Sequence, residues 1–191
     1  MIRSLKNIFN LYMPNLLKII GNRLIIREPG RVRAYQRIKV TGKGTVSIGS
    51  KCCFGFPLGG YFDRGLIELQ ARYFESIIEI GDRVATNNNL LICSKNRIVI
   101  GDDCLIGHNV EFMDFDGHNL APSQRRNGDG IAEEIIIGKN VWFGNNVIIL
   151  RGTQIGDNSV IAAGSVVKGR FGSNVVLGGV PARVIKSIRE D

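Results

Sequence analysis

The feature that most constrains this chain is a large apolar residue at every sixth position of its C-terminal third. These positions follow one another without a slip: Ile137, Phe143, Ile149, Ile155, Ile161 and Val167. Four places after each of the first five comes a small or β-branched residue: Val141, Val147, Thr153, Ser159 and Ser165. Neither an α-helix, with its period of 3.6, nor a single strand, with its period of 2.0, produces this spacing.

A period of six predicts short strands joined by tight corners, with three strands in each triangular coil and the coils stacked so that the sixth residues fill one core. The same frame occurs upstream at Ile80, Ile92, Ile98, Ile100, Ile106 and Phe112, and more weakly at Ile48 and Phe54. The 24 glycines, together with Asn and Asp, suit the corners because positive φ is least costly for them. We therefore predict an all-β parallel β-helix with irregular early coils. An ordinary β-sandwich does not hold one phase over so many repeats.

The repeat has one long interruption, between Phe112 and Ile137, which predicts an inserted loop at residues 113–134. Insertions in solenoids project from one face and often carry the functional site. This loop contains His118, one of two histidines in the chain. An imidazole has an ordinary pKa near 6.5 and can accept a proton from a hydroxyl at neutral pH. His118 is therefore a candidate general base, or else a solvated surface residue. The nearby Asp114 and Asp116 either orient the imidazole or solvate the loop.

The first thirty residues predict a helical arm (residues 1–30) ahead of a β-helix domain (residues 31–188). An apolar stripe with helical spacing runs through the arm and is interrupted by Pro14. The stripe is too short and too polar to span a membrane, and no small-residue cleavage site follows it. We expect the arm to pack on the body or on a neighbouring subunit. The alternative is a basic amphipathic anchor at a membrane surface.

Charge and cysteine content exclude several other classes. The net charge of +8 attracts anionic partners. However, the Lys and Arg residues are scattered without interleaved aromatic residues, so we expect no nucleic-acid binding. The four cysteines are Cys52, Cys53, Cys93 and Cys104, and their spacing signals neither a zinc site nor a disulfide framework, which favours a cytoplasmic protein. We predict no metal, because the metal-dependent carbonic anhydrases with this type of repeat need three histidine ligands.

The motifs from residue 135 to residue 188 carry a family resemblance. They include Ile137-Gly138-Lys139-Asn140-Val141-Trp142-Phe143-Gly144, Ile155-Gly156-Asp157-Asn158-Ser159-Val160-Ile161-Ala162-Ala163-Gly164, and Gly178-Gly179-Val180-Pro181-Ala182-Arg183-Val184-Ile185-Lys186. In this order they resemble the hexapeptide-repeat acyltransferases, within them the galactoside, maltose and streptogramin O-acetyltransferases. The resemblance implies a left-handed β-helix, an exception to the usual right-handed crossover. It also implies acetyl-CoA as co-substrate and a homotrimer that shares cofactor sites between subunits.

The resemblance also assigns roles to individual residues. His118 corresponds to the general base, and Asn145 to the residue whose N–H or side chain stabilises the oxyanion. Asn88 lies near the position that holds the acceptor sugar. The residues that match the cofactor-binding positions are Ala163, Lys168, Gly169, Arg183 and Lys186.

Departures from the family pattern bear on the acceptor. Lys168-Gly169 replaces a Thr-Lys pair, and the N-terminal helical domain typical of the galactoside and maltose enzymes is not evident. These differences favour relatives that act in polysaccharide or lipopolysaccharide assembly over an enzyme that acetylates disaccharides. The sequence therefore predicts an acetyl-CoA-dependent sugar O-acetyltransferase. N-acetylation of an amino-sugar nucleotide and a non-catalytic structural β-helix remain as alternatives.

Overall fold

The structure is a computed structural model that describes residues 2–128 and 130–189. Between residues 24 and 187 the chain winds through seven coils of a parallel β-helix. The first strands of successive coils form the first sheet, the second strands the second sheet and the third strands the third sheet. These sheets hold seven, eight and six strands, and the eighth strand of the second sheet is the last strand of the chain, which pairs antiparallel at its edge. We call the turn from the first to the second sheet the first corner, the turn from the second to the third sheet the second corner, and the turn into the next coil the third corner.

The strands are short, as a period of six requires. Those of coils one to four are β1 Leu24–Ile26, β2 Arg33–Ala34, β3 Ile38–Gly42, β4 Thr45–Ile48, β5 Cys53–Phe54, β6 Ile67–Ala71, β7 Ile77–Ile80, β8 Ala85–Thr86, β9 Leu90–Ser94, β10 Arg97–Ile100, β11 Leu105–Ile106 and β12 Val110–Met113. Those of coils five to seven are β13 Ile135–Ile137, β14 Trp142–Phe143, β15 Ile148–Leu150, β16 Gln154–Ile155, β17 Val160–Ile161, β18 Val166–Val167, β19 Arg170–Phe171, β20 Val175–Gly179 and β21 Ala182–Ser187.

The core is the column of apolar residues that the repeat predicts. All six C-terminal repeat residues, from Ile137 to Val167, are buried, and so are the small residues four places after them. Burying one aliphatic side chain of this size contributes about 1.5–3 kcal/mol. Polar members of the column are satisfied locally, as Thr153 shows by donating its hydroxyl to the carbonyl oxygens of Leu150 and Val167 at 2.6 and 3.1 Å. The predicted repeat is therefore confirmed.

The corners hold residues with positive φ in register from coil to coil. At the second corner Asn89, Asn109 and Asn146 have φ values of 59°, 55° and 58°. Their side chains form a ladder, because Asn89 Nδ2 donates to Asn109 Oδ1 at 2.8 Å and Asn109 Nδ2 donates to Asn146 Oδ1 at 2.9 Å. Asparagine tolerates this backbone region better than most residues, and its amide can bond both above and below. The corners therefore fix the stacking of the coils.

A helical cap covers the N-terminal end of the β-helix. It consists of α1 Ile2–Asn7, a π-helical turn Ile8–Tyr12, a 3-10 turn Met13–Asn15 and α2 Leu16–Ile20. Leu11 closes the end of the core. The buried Asn15 accepts a hydrogen bond from the Val40 N–H at 2.7 Å and donates to the Ile38 carbonyl at 2.9 Å. The β-helix itself begins at β1, which pairs with β4, so it starts before the boundary predicted at residue 31.

Two loops leave the coils. The predicted one occupies residues 114–134, because Met113 still belongs to β12. The second loop occupies residues 55–66, between β5 and β6. The prediction of a single long interruption in the repeat was therefore wrong. At the other end of the β-helix, β21 pairs antiparallel with β20 and closes the second sheet. Among the residues that the structure describes, none of the helices is long and apolar enough to cross a membrane.

Candidate active site

The inserted loop leaves and rejoins the β-helix through two paired stems. The backbone N–H of Asp116 donates to the carbonyl oxygen of Ile131 at 2.9 Å, and the backbone N–H of Glu133 donates to the backbone carbonyl oxygen of Asp114 at 2.8 Å. Phe115, in the first stem, is buried. This pairing holds the loop in one direction relative to the third corner of coil four.

Asp114 fixes the start of the loop. Its carboxylate is buried and accepts hydrogen bonds from the Ser94 hydroxyl at 2.7 Å and from the backbone N–H groups of Lys95 and Asn96 at 2.7 and 3.0 Å. A buried carboxylate needs such donors because it has lost its hydration. Asp114 therefore ties the inserted loop to the third corner of the preceding coil, coil three.

Asp116 and Glu133 form an ion cluster with the nearly buried Arg151. The Nε atom of Arg151 lies 2.8 Å from a carboxylate oxygen of Asp116, and its Nη1 pairs with Glu133 on the other stem. The Asp116 carboxylate raises the pKa of Arg151 above its ordinary value. The carboxylates of Asp116 and Glu133 both pair with Arg151. Among the described residues, neither Asp114 nor Asp116 forms a hydrogen bond or an ion pair with the His118 ring. The two aspartates therefore anchor the loop, and they neither orient the imidazole nor merely solvate the loop.

His118 is exposed, and its ring is held from one side. The Nδ1 atom lies 3.0 Å from the carbonyl oxygen of Arg125. A carbonyl can only accept a hydrogen bond, so a neutral imidazole carries its proton on Nδ1 and leaves the lone pair of Nε2 free. This tautomer is the one that a general base needs, because the free nitrogen points away from the protein backbone that orients the ring.

The tip of the loop is organised by its own hydrogen bonds. Asn119 Nδ2 donates to the carbonyl oxygens of Asn127 and Gln124 at 2.6 and 3.3 Å. Arg125 donates from its guanidinium to the carbonyl oxygen of Leu120 at 3.1 Å. The segment that carries His118 is therefore shaped before any substrate binds, which lowers the entropy lost on binding.

A groove of about 600 Å³ runs along the outer face of the second sheet. Its floor includes the exposed apolar side chains of Leu105 and Trp142, and Phe56 from the second loop contributes to its wall. Asn145 and Ala163 line it at the second corner of coils five and six. A groove of this size and character suits an elongated ligand with apolar and amide groups.

Asn145 brings hydrogen-bond donors to this groove. Its Oδ1 accepts a hydrogen bond from the backbone N–H of His108 at 3.0 Å, which fixes the orientation of the amide. In the part of the chain that the structure describes, neither its Nδ2 nor its backbone N–H donates a hydrogen bond, and the same is true of the Ala163 N–H. Gly144 permits the close stacking, since a Cβ there would lie 2.6 Å from the Ala163 nitrogen. Donors aimed at one groove can stabilise a developing negative charge.

The predicted cofactor-binding cations are exposed at the C-terminal end of the molecule. Lys168 follows β18, and Gly169 has a φ of 128° at the third corner of coil six. Arg183 and Lys186 lie on β21, at the edge of the second sheet that contains the groove. Within the described ranges none of these cations forms an ion pair, so they are available to phosphate groups.

Within one chain, the predicted site residues lie at two separate places on the β-helix. His118 borders cavities formed only by its own loop and stems, and it does not line the groove that contains Asn145 and Ala163. The loop of His118 and the Lys168-Gly169 turn lie at the third corner, whereas the groove ends at the second corner. The third sheet separates these corners. His118 and Asn145 of the same chain therefore do not line one site.

Asn88 does not contact the groove, which corrects the role predicted for it. It is fully buried, and its amide accepts a hydrogen bond from the Phe56 N–H and donates to the carbonyl oxygens of Phe56 and Gly60, each at 2.9 Å. Asn88 thus fastens the second loop, with Gln36 holding the same loop through Tyr61 at 2.8 Å.

The neighbouring Asn87 lines the groove instead. Asn88 occupies the same corner position as Asn145 two coils further along, but the second loop covers it. The buried core residues Phe54 and Ile67 lie more than two repeats apart, and this spacing is the sequence signal that could have revealed the second loop.

The cysteines are all free thiols. Burial raises the pKa of Cys52 and Cys104 to about 11, and it also raises the pKa of Cys53, which lines the groove. These thiols are protonated at neutral pH and are poor nucleophiles. Across residues 2–128 and 130–189, no cluster of three or more His, Cys, Asp and Glu side chains is arranged to hold a metal ion.

Comparison with known proteins agrees with the repeat. Residues 134–169 match the family model described as bacterial transferase hexapeptide (six repeats), and residues 97–113 match that of the hexapeptide repeat of succinyl-transferase. Two stretches of the repeat are therefore similar to the hexapeptide repeats of known transferases.

The relatives are more specific. Over 117 residues the chain is 44% identical to galactoside O-acetyltransferase of Escherichia coli (strain K12), which covers 61% of this chain and 57% of that protein. Over 123 residues it is 33% identical to the putative lipopolysaccharide biosynthesis O-acetyl transferase WbbJ of the same strain, covering 60% of this chain and 63% of that protein. The chain thus matches about six tenths of the length of these curated relatives.

A solved structure extends the similarity to nearly the whole chain. A galactoside acetyltransferase in complex with coenzyme A superimposes with a TM-score of 0.58 at 27% identity, covering 97% of this chain and 78% of that chain. The predicted resemblance to the hexapeptide-repeat acetyltransferases and the left-handed parallel β-helix are confirmed.

Proposed function

We propose that this protein is an acetyl-CoA-dependent O-acetyltransferase that acetylates a sugar hydroxyl in the biosynthesis of a cell-surface polysaccharide or lipopolysaccharide. The observation that carries the proposal is the His118 imidazole, held through Nδ1 by the Arg125 carbonyl so that Nε2 is free to accept a proton. Similarity to O-acetyltransferases of galactosides and lipopolysaccharide supports the reaction type and the class of acceptor.

In the proposed reaction His118 Nε2 accepts the proton of the acceptor hydroxyl as that oxygen attacks the thioester carbonyl. Asn145 donates hydrogen bonds from its N–H or Nδ2 to the oxygen that becomes negative, where one such donor can contribute about 2.7–4 kcal/mol. The carbon–sulfur bond then breaks, and the imidazolium of His118 returns its proton to the sulfur. No step requires a cysteine nucleophile, in agreement with the raised thiol pKa values.

The groove fits acetyl-CoA as the co-substrate. The apolar floor formed by Leu105 and Trp142 can cover the pantetheine arm, and the free N–H of Ala163 can bind one of its amide oxygens. At the end of the same sheet, Arg183 and Lys186 can pair with the phosphates, together with the Lys168-Gly169 turn of the adjoining subunit.

We further propose a cyclic homotrimer in which each site combines the His118 loop of one subunit with the groove of the next. Support comes from the separation of the two sets of residues within one chain, since neither set is a complete site alone. The loop leaves after coil four, and the groove residues Asn145 and Ala163 lie in coils five and six. Neighbouring subunits must therefore stand side by side with their coils at matching heights.

The test is the variant His118→Ala, with Ser123→Ala on the same exposed loop as a matched control. Transfer to methyl glycosides and to the corresponding amino sugars is followed by the release of free CoA, and CoA affinity is measured by calorimetry. We expect His118→Ala to lose transfer by a factor of roughly 10²–10⁴ with unchanged CoA affinity, and Ser123→Ala to resemble the wild type. Undiminished transfer by His118→Ala would refute the role of the base, and transfer only to amines would favour N-acetylation.

The four free thiols are consistent with a reducing compartment, and we propose that the enzyme acts in the cytoplasm. Recovery of the native protein in the cytoplasmic fraction of its own cells tests this assignment.

A further inference from the structure

The helical cap turns polar side chains toward the β-helix. Asn7 Nδ2 donates to the Val32 carbonyl at 2.7 Å, and Asn10 Nδ2 donates to the carbonyl oxygens of Ala34 and Tyr35 at 3.0 Å each. With Asn15, these side chains pair backbone groups of the first coil that have no neighbouring strand on this side. The cap therefore pairs the open sheet end with amides, beside the apolar contact that Leu11 makes with the core.

The opposite side of the cap is apolar and exposed. Four exposed apolar residues at intervals of four form an outward row: Leu5, Phe9, Met13 and Leu17. Leu5 and Met13 lie two positions before Asn7 and Asn15, whose side chains point inward. Ile8, Leu16 and Ile20 widen this row. Residues four apart share one helix face, and a shift of two positions leads to the opposite face. We call this exposed row with its flanking residues the apolar ridge.

The charge of the protein is concentrated at the same end. The first 43 residues contain ten of the 25 Lys and Arg residues and one of the 17 Asp and Glu residues, a net charge of +9. The remaining 148 residues therefore carry a net charge of −1. Arg33, Arg37 and Lys39 on the first coil are exposed and form no ion pair among the residues described. A field of one sign thus surrounds the apolar ridge.

We propose that the apolar ridge and the basic first coil bind the surface of an anionic lipid bilayer, with the ridge in the boundary between headgroups and acyl chains. Exposed aliphatic side chains beside dense positive charge are the pattern of interfacial helices. Nucleic acid does not account for the aliphatic ridge. A second copy of the cap would place two regions of charge +9 against each other, which charge repulsion opposes.

The arrangement of subunits strengthens this binding, and this step rests on the proposed trimer. Side-by-side packing places the solenoid axes along the threefold axis, so the three caps face the same direction. Three ridges then meet one flat surface at once, and the affinity of the assembly exceeds that of a single cap by avidity. The grooves run along the sides of the trimer and stay open to the solvent above the lipid surface.

The experiment is co-sedimentation of the full-length protein with vesicles of phosphatidylcholine and phosphatidylglycerol in equal parts, and with vesicles of phosphatidylcholine alone. We expect binding to the mixed vesicles that weakens with added salt. The double variant Phe9→Ser, Leu17→Ser should lose roughly tenfold or more in partition, because two exposed apolar side chains leave the interface. Leu58→Ser is the matched control, since Leu58 is 89% exposed and Leu17 is 84% exposed.

A second variant keeps the test valid if the arm variant alters the fold. Arg33→Gln, Arg37→Gln, Lys39→Gln should lose about fivefold per charge on mixed vesicles and become less sensitive to salt. Absence of wild-type binding to mixed vesicles, or equal binding by wild type and both multiple variants, overturns the proposal. Vesicle binding needs neither acetyl-CoA nor acceptor, so its failure is distinct from a failure of the proposed enzymatic activity, which is measured on a soluble acceptor.

Discussion

Two inactive variants of this protein should restore activity to each other when they are assembled into the same trimer. His118→Ala removes the base but leaves the groove intact. Ala163→Trp fills the groove at an exposed position but leaves the inserted loop intact. Because the loop and the groove of one chain lie at different corners, a site of the mixed trimer is complete when its loop comes from the Ala163→Trp chain and its groove from the His118→Ala chain.

The magnitude follows from the geometry of a closed ring. In trimers assembled at random from equal amounts of the two chains, the loop is intact in half of the cases and the adjoining groove in half. About one quarter of the sites therefore carries both wild-type parts. The two proteins are unfolded together in urea and refolded as a mixture, and acetyl transfer is measured as the release of free CoA.

The control is a mixture of the two variants that have been refolded separately, in which no exchange of subunits has occurred. It should be as inactive as either variant alone. If the co-refolded mixture also shows no more transfer than the separate proteins, although native mass spectrometry shows mixed trimers, then base and groove do not come from different subunits and the shared site is wrong.

Three further predictions concern the loop, the cap and the thiols. Arg151→Leu unpairs Asp116 and Glu133 at the loop stems and should lower transfer tenfold or more with unchanged CoA affinity, whereas equal losses in both would contradict a positioning role. Asn15→Leu leaves the Val40 N–H and the Ile38 carbonyl without partners and should cost about 1–3 kcal/mol for each group in urea unfolding. Because burial raises the pKa of Cys104 from its ordinary value near 9 to about 11, the thiol supports stability fully below pH 9 and loses about 2–3 kcal/mol as the pH rises to 11. Urea unfolding of Cys104→Ala should show a smaller decrease over that interval, and identical slopes would refute the assignment.

The repeat could be predicted from the sequence because its physical signal is local and redundant. Each strand of a coil must bury an apolar residue at the same place. Ile137 and the five repeat residues after it therefore give six independent signs of the same burial pattern. The second loop was missed because its glycine-rich segment lies among coils whose frame is already irregular. Its position is fixed by the distant amides of Gln36 and Asn88, and no local pattern announces such contacts.

The candidate site shows the same limit. His118 could be singled out because an interruption in a regular repeat is conspicuous, and its orienting partner, the Arg125 carbonyl, is a backbone group without a sequence signature. Asn88 and Asn145 occupy equivalent corner positions, yet only Asn145 reaches the groove, because a loop covers the other. The anchoring roles of Asp114 and Asp116 depend on Ser94 and Arg151, which are remote in sequence. The repeat predicts where a residue lies in its coil, but the exposure of that residue depends on whether a loop packs over it.

The stacking of the coils also fixes a distance. Neighbouring parallel strands lie about 4.8 Å apart, so the three steps from the first coil to the fourth place the base of the His118 loop about 14 Å above the first coil along the β-helix axis. A protein anchored by its cap would hold the base of the loop above the lipid headgroups by this height plus the thickness of the cap, on the side that presents a sugar a few units away from a lipid anchor. Insertion or deletion of a single coil would change that height in one step of about 5 Å without altering the site. With the cap bound to lipid as we propose, the number of coils below the loop would determine which acceptor units the protein can reach.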